Sequence, residues 1–190
     1  MLRISLIYVF ILNDSEILTC KRINFINFDN LLYLMERYDG LRDVARKKIQ
    51  IADHMLTMTY PFVKDPKILL AVLENVFLAM INSMGSILHF ERTYKKIPPF
   101  QDTFVSKFNL FKQKCAPKFN IERHYLNTIQ ELREVIKEHR ESPIEFSRKD
   151  SFVICTNEYD LRTITLDSIK GYISSAKSFV ELNSRIIDDE

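Results

Sequence analysis

Glycine is nearly missing from this chain, with three residues in 190. That is too few for a sandwich or barrel built on tight turns, or for a glycine-rich loop that cradles a nucleotide. Cysteine is scarce as well. Cys20, Cys115 and Cys155 are scattered, with no C-x-x-C among them, which indicates neither a disulfide framework nor a zinc site and fits a reducing cytoplasm. The four histidines, His54, His89, His124 and His139, contain no H-x-x-x-H and no H-E-x-x-H, so a metal centre is not expected, and no other cofactor is indicated. Charge of one sign is also lacking. The net charge is +2 and the pI about 8.4, below what strong nucleic-acid binders usually carry. Ile4 to Leu12 is a nearly unbroken apolar run of nine, too short to span a bilayer.

What is present is an ordinary globular composition, 46% hydrophobic and 27% charged, in a chain long enough to bury one core. Residues 1–28 differ from the rest and read as a strand pair, a poorly ordered lead, or sequence upstream of the natural start; none has an assigned function. From Asp29, a good N-cap, the periodicity turns helical. Gly40 marks a kink or break, and Leu41, Ala45, Ile49, Ala52, Leu56 and Tyr60 form an inward stripe that Pro61 ends. Arg42, Arg46, Lys47 and Lys48 on the same helix read first as a solvated face and second as a phosphate-binding patch.

Asp65-Pro66 opens the most apolar segment, Ile68 to Lys95, which is expected to be the central, most buried helix. Glu74, Asn75 and Asn82 interrupt its apolar part, so a membrane span is not expected. Asn75, Asn82, Ser86 and His89 follow at i, i+7, i+11 and i+14, one narrow stripe with Glu74 beside it. Buried amides and carboxylates need partners. The stripe therefore reads as interhelical hydrogen bonding or, alternatively, as a polar wall facing a site.

A rigid Ile97-Pro98-Pro99-Phe100 connector leads to a helix over about 101–115, with Phe104, Phe108 and Phe111 at core-packing spacing and a basic side of Lys107, Lys112, Lys114 and Lys118. Pro117 separates it from an amphipathic helix over 119–140, which must stop near Glu141 because Pro143 disfavours helical geometry at Ser142. Ser142 to Lys149 reads as a polar link. Phe152–Thr156 and Leu161–Thr165 read as a hairpin, and Asp167 as the cap of a last helix over 168–187. The expected fold is all-α: an up-and-down bundle of four to five helices with a small β-hairpin near the C-terminus, one domain over 29–190.

The helix over 119–140 carries the candidate chemistry. Leu132, Ile136, Tyr125, Ile129 and Leu126 fill an arc of about 120°. Arg133 falls inside that arc, which asks for a partner, and Glu74 is the sensible one. His139 lies just outside its other edge. Arg133-Glu-Val-Ile-Lys-Glu-His139 resembles the R-x(4–6)-H signature of the HEPN family of helical bundles, and the expected build is similar too. Here Glu134 follows the arginine, where family members more often have Asn, Asp or His. The resemblance, of the uncharacterised archaeal kind, covers about 29–140. It implies an RNA-binding protein, in active members a metal-independent endoribonuclease, whose paired motifs meet across a homodimer.

The residue types suit that chemistry. A histidine can take the proton of a ribose 2′-hydroxyl, and an arginine fork matches two phosphate oxygens. Six residues of helix rise about 9 Å, too far for one phosphate to touch both on one chain. Lys137 and Arg140 are candidates for guiding the RNA backbone, with Glu74, Asn75 and Asn82 as supporting polar groups. A second reading stands beside this one. His139 and Arg140 occupy a helix C-terminus, where cations meet the negative end of the dipole, and the bundle is then a non-catalytic dimeric scaffold. Arg133 and His139 open to solvent in a basic cleft would favour the first reading; Arg133 sequestered in an ion pair would favour the second.

Overall fold

The computed structural model describes residues 25–65, 67–148, 151–155 and 160–189. Most of the 1–28 lead, with its apolar run, lies outside them. Five helices and three strands are found among the described residues. Helix α1 covers 25–63: α-helical over Phe25–His54, a π-helical turn over Met55–Thr59, then α-helical again over Tyr60–Val63. Helix α2 is Lys67–Thr93. Helix α3 covers 104–118 and also contains a π-helical turn, Phe111–Cys115. Helix α4 is Arg123–Glu141, and α5 is Leu166–Asp188. The strands β1 (Ile144–Arg148), β2 (Ser151–Cys155) and β3 (Leu161–Thr165) lie between α4 and α5.

The bundle and the C-terminal hairpin are as expected; several boundaries are not. Helix α1 starts before Asp29 and passes through Gly40 without a break, because glycine lowers helix propensity by only about 1 kcal/mol and the packed flanks outweigh it. It also passes Pro61, which falls in the first turn of the segment following the π-turn, where no intrahelical donor is needed. Lys64, at φ 52°, closes the helix by donating its N–H to the Tyr60 carbonyl at 2.8 Å. Asp65 then accepts from the Lys67 N–H at 2.9 Å and starts α2. The cap of α5 is Thr165, in a reciprocal box with Ser168, rather than Asp167.

Helix α2 is the core. Leu69, Val72, Val76, Ala79, Met80, Ile87 and Leu88 are fully shielded, with α1, α4 and α5 packed around it. It is long and apolar enough to cross a membrane by length and composition, but that apolar surface here faces Ala45, Ile49 and Ala52 of α1, Ile129 and Leu132 of α4, and Ile169, Ala176 and Phe179 of α5. Each isoleucine, leucine and phenylalanine among them contributes about 1.5–3 kcal/mol by leaving water. Aromatic contacts tie α3 in, with Phe111 edge-on to Phe179 at 6.1 Å and Tyr125 against Phe179 at 5.2 Å.

The segment read as a polar link is in fact β1. It pairs antiparallel with β2, Ile144 opposite Cys155 and Phe146 opposite Val153, and β2 pairs antiparallel with β3, Phe152 opposite Ile164. The sheet is thus a three-stranded meander with β2 in the middle. An edge strand needs only one hydrogen-bonded side, and Ile144 and Phe146 remain exposed. Ile144 and Phe146 alternate with Glu145 and Ser147, but two apolar positions are too short a pattern to mark a strand. Ser142 fastens the start of the sheet by donating its hydroxyl toward the Cys155 carbonyl at 2.8 Å.

Candidate functional site

Helix α4 is antiparallel to α2, so its last turn stands beside the start of α2. There His139, half-buried, opens into a cleft of about 400 Å³ lined by Asp65, Lys67, Glu74, Phe146 and Phe152 along with Leu70 and Ala71. The His139 ring meets Phe152 edge-on at 6.4 Å. One lysine, two carboxylates and an imidazole therefore share a pocket walled by two phenylalanines, an arrangement that can move a proton and hold a polar group beside a flat apolar one.

Arg133 is elsewhere. Its side chain is exposed, and its guanidinium carbon lies 4.5 Å from the centre of the Phe104 ring. The pairing expected with Glu74 does not form: Glu74 lines the His139 cleft, while the edge of the α4 stripe holding Arg133 faces α3. An aromatic ring satisfies the arginine without an anion, at about 0.5–1 kcal/mol in an exposed position. Lys137 is exposed and 3.8 Å from Glu141, and Arg140 is exposed at the helix end. The outer face of α4 is mixed rather than basic, with Glu131, Glu134, Glu138 and Glu141 and Arg162 bonded to Glu138 at 2.8 Å.

In the polar stripe of α2, Asn75 and Ser86 bridge to α1, Asn82 bonds within its own helix, and none of the four lines the cleft. Asn75 receives Lys48 of α1 at 3.2 Å and donates to its own helix at Ala71. Asn82 donates to the Leu78 carbonyl at 2.6 Å. Ser86 donates to the Tyr38 carbonyl of α1 at 2.8 Å. His89 is the exception, since it is 5% exposed and neither ring nitrogen has a hydrogen-bond partner. Burial first, then the charges of Arg37 and Lys107, lower its pKa to about 4. The α1 cations also serve the fold, Arg42 binding Asp39 and Asp188 and Arg46 reaching Ser184.

Sequence reasoning brought His139 and Glu74 to the site but missed Asp65, Lys67, Phe146 and Phe152. Asp65 signalled only a helix start, and Phe146 sat in an alternation of only two apolar positions, Ile144 and Phe146, read as part of a polar link. A second, wider groove of about 570 Å³ runs between α1 and α5, with Lys170 and Lys177 on its wall; Lys177 there holds Asp53 at 2.8 Å. Among the described residues, no three His, Cys, Asp or Glu side chains converge as metal ligands.

Fold and cleft together define a five-helix bundle with an inserted three-stranded sheet and a histidine-lined pocket where the two meet. The chain matches no protein-family model, no curated protein and no solved structure.

Proposed function

We propose that the protein is a HEPN-like, cytoplasmic RNA-binding homodimer that cleaves RNA without a metal, with His139 moving the proton and Arg133 of the second copy meeting the phosphate. The observation that carries this is the pairing of an accessible His139 cleft with an exposed Arg133 that forms no ion pair among the described residues. In the reaction, the His139 imidazole takes the proton of a ribose 2′-hydroxyl and the 2′-oxygen bonds to phosphorus. The bond to the 5′-oxygen breaks, that oxygen takes a proton from water, and the protonated His139 returns its proton to solvent, leaving a 2′,3′-cyclic phosphate. Arginine neutralises the phosphate oxygens as charge builds, and Lys67 adds a second cation at the cleft. Because the two motif residues point to different places on one chain, the site requires a second copy.

The test is RNA cleavage in EDTA by wild type and His139→Ala over pH 5 to 9. Cleavage by wild type that disappears in a folded, dimeric variant supports the site; activity that survives in the variant refutes it. The mixed charge of the outer α4 face favours a second reading, a dimeric scaffold without catalysis. Wild type failing on both structured and single-stranded RNA would leave that reading in place.

A further inference from the structure

A cluster of positive charge lies at the opposite end of α4 from His139. Three helix ends meet there: the C-terminus of α2, the C-terminus of α3 and the start of α4. Arg92, Lys95, Lys96, Lys112, Lys114, Lys118 and Arg123 face only Glu91 and Glu122 in those segments, an excess of five positive charges. The whole chain is +2, so everything else sums to −3. Glu91, 1% exposed, is already held by Lys118 at 2.8 Å and Lys96 at 3.8 Å. It pins the two ends together and is shielded from solvent. Lys95, Lys112, Lys114 and Arg123 are exposed and form no ion pair among the described residues. Two helix C-termini account for lysines being favourable here, but they leave the excess charge in place.

The backbone presents this charge outward. Lys95, at φ 57°, is the left-handed residue of a closure in which the Lys96 N–H reaches the Glu91 carbonyl and the Lys95 N–H the Arg92 carbonyl. Tyr94, 52% exposed, has the Lys96 ammonium 5.4 Å from its ring centre and meets Phe90 edge-on at 5.1 Å. An exposed ring at the same end of the bundle as four exposed cations outside ion pairs among the described residues suits a single-stranded nucleic acid, its phosphates against the cations and a base on the ring. A membrane surface would ask for several inserting apolar side chains, and Tyr94 is the large exposed hydrophobic of these segments.

We infer that this basic end is a docking surface for the backbone of single-stranded RNA, separate from the His139 cleft. It rests on the RNA reading above. Arg123 and His139 are sixteen residues apart on α4, about 24 Å, so the surface holds the strand at a distance from the reacting phosphate.

The experiment is fluorescence anisotropy of a labelled, unstructured 20-nucleotide RNA with the full chain carrying His139→Ala, over a salt series. In the doubly substituted Lys112→Ala/Lys114→Ala protein, each lost phosphate contact lowers the salt slope by about 0.7, and the pair lowers affinity about 25-fold at 0.1 M salt. Tyr94→Leu weakens binding several-fold with the slope unchanged, because stacking releases no counterions. The control is Lys170→Ala/Arg185→Ala, an equal charge change at two exposed positions of α5, which leaves the slope intact. Binding that falls equally in both double variants, or in neither, overturns the docking surface while leaving RNA binding itself standing. No RNA binding by the His139→Ala parent, or by wild type in EDTA, overturns the RNA reading and the surface with it. Loss of binding to phosphatidylserine vesicles in Lys112→Ala/Lys114→Ala, without any RNA binding, would assign the surface to a membrane instead and also overturn it.

Discussion

Acid should weaken this fold through His89, a residue with no part in the proposed chemistry. The imidazole packs on Phe100 at 5.2 Å and has no hydrogen-bond partner. Arg37 and Lys107 approach it with like charge, opposed among the described residues by Asp102, which those two cations already hold. Its pKa falls from 6.5 to about 4 on folding. A lowered histidine pKa means that the unfolded chain binds the proton more readily. The contribution is therefore fully present above about pH 6.5 and is lost as pH falls toward 4. Linkage across that shift gives a loss of about 2 kcal/mol between pH 7.5 and pH 5, and about 3 kcal/mol by pH 4. The assay is urea unfolding followed by far-UV circular dichroism at each pH, on wild type, His89→Leu and His89→Gln. The other histidines are common to all three proteins and cancel in the difference. Both variants should show a pH dependence flatter than wild type by about 2 kcal/mol over pH 7.5 to 5. A wild-type profile that superimposes on both within a few tenths of a kcal/mol would refute the reasoning, and would mean that the ring finds a partner or solvent on protonation.

Three further outcomes follow from particular contacts. Phe104→Leu removes the ring under Arg133 and should cost about 1 kcal/mol for the contact in addition to the lost aromatic packing; Arg133→Gln in the Phe104→Leu background should then cost almost nothing, checked by a double-mutant cycle in urea. Burial pushes the Cys115 thiol up to about 12, so iodoacetamide at pH 8 should leave it unmodified in the folded protein and label it in urea, as read by peptide mass mapping. Asn183 is completely buried with both amide atoms unpaired, and an unsatisfied buried group costs about 1–3 kcal/mol. Asn183→Leu should raise the melting temperature, and a drop of several degrees would show that the amide is satisfied in solution.

The helices were legible because their signal is local. The α4 stripe of Tyr125, Ile129, Leu132 and Ile136 buries as its spacing requires, and the inward stripe of α1 does the same from Ala45 to Tyr60. Boundaries misled wherever a single residue was weighed alone. Asp29, Gly40 and Pro61 each carry a real local preference of about 1–3 kcal/mol, but the packing of a forty-residue helix against α2 outweighs it. Strand β1 was missed because it is five residues long with only two apolar positions, Ile144 and Phe146, which stay exposed, and its place is set by pairing with β2. The site was half legible. His139 and Glu74 were singled out for different reasons, one as a motif residue and one as a misplaced charge, and the fold places them at one cleft.

Composition and short-range periodicity thus determined by themselves that the chain is a helical bundle with one very apolar central helix and a β element before the last helix, because those properties depend on neighbours one to four residues apart. Tertiary structure alone decided that Arg133 rests on Phe104 instead of Glu74, that Lys67 and Phe146 join His139, and that seven cations from three segments gather at one end. Each of those depends on the crossing of helices and the pairing of strands, where small differences in packing select among partners far apart in sequence that local pattern leaves equivalent.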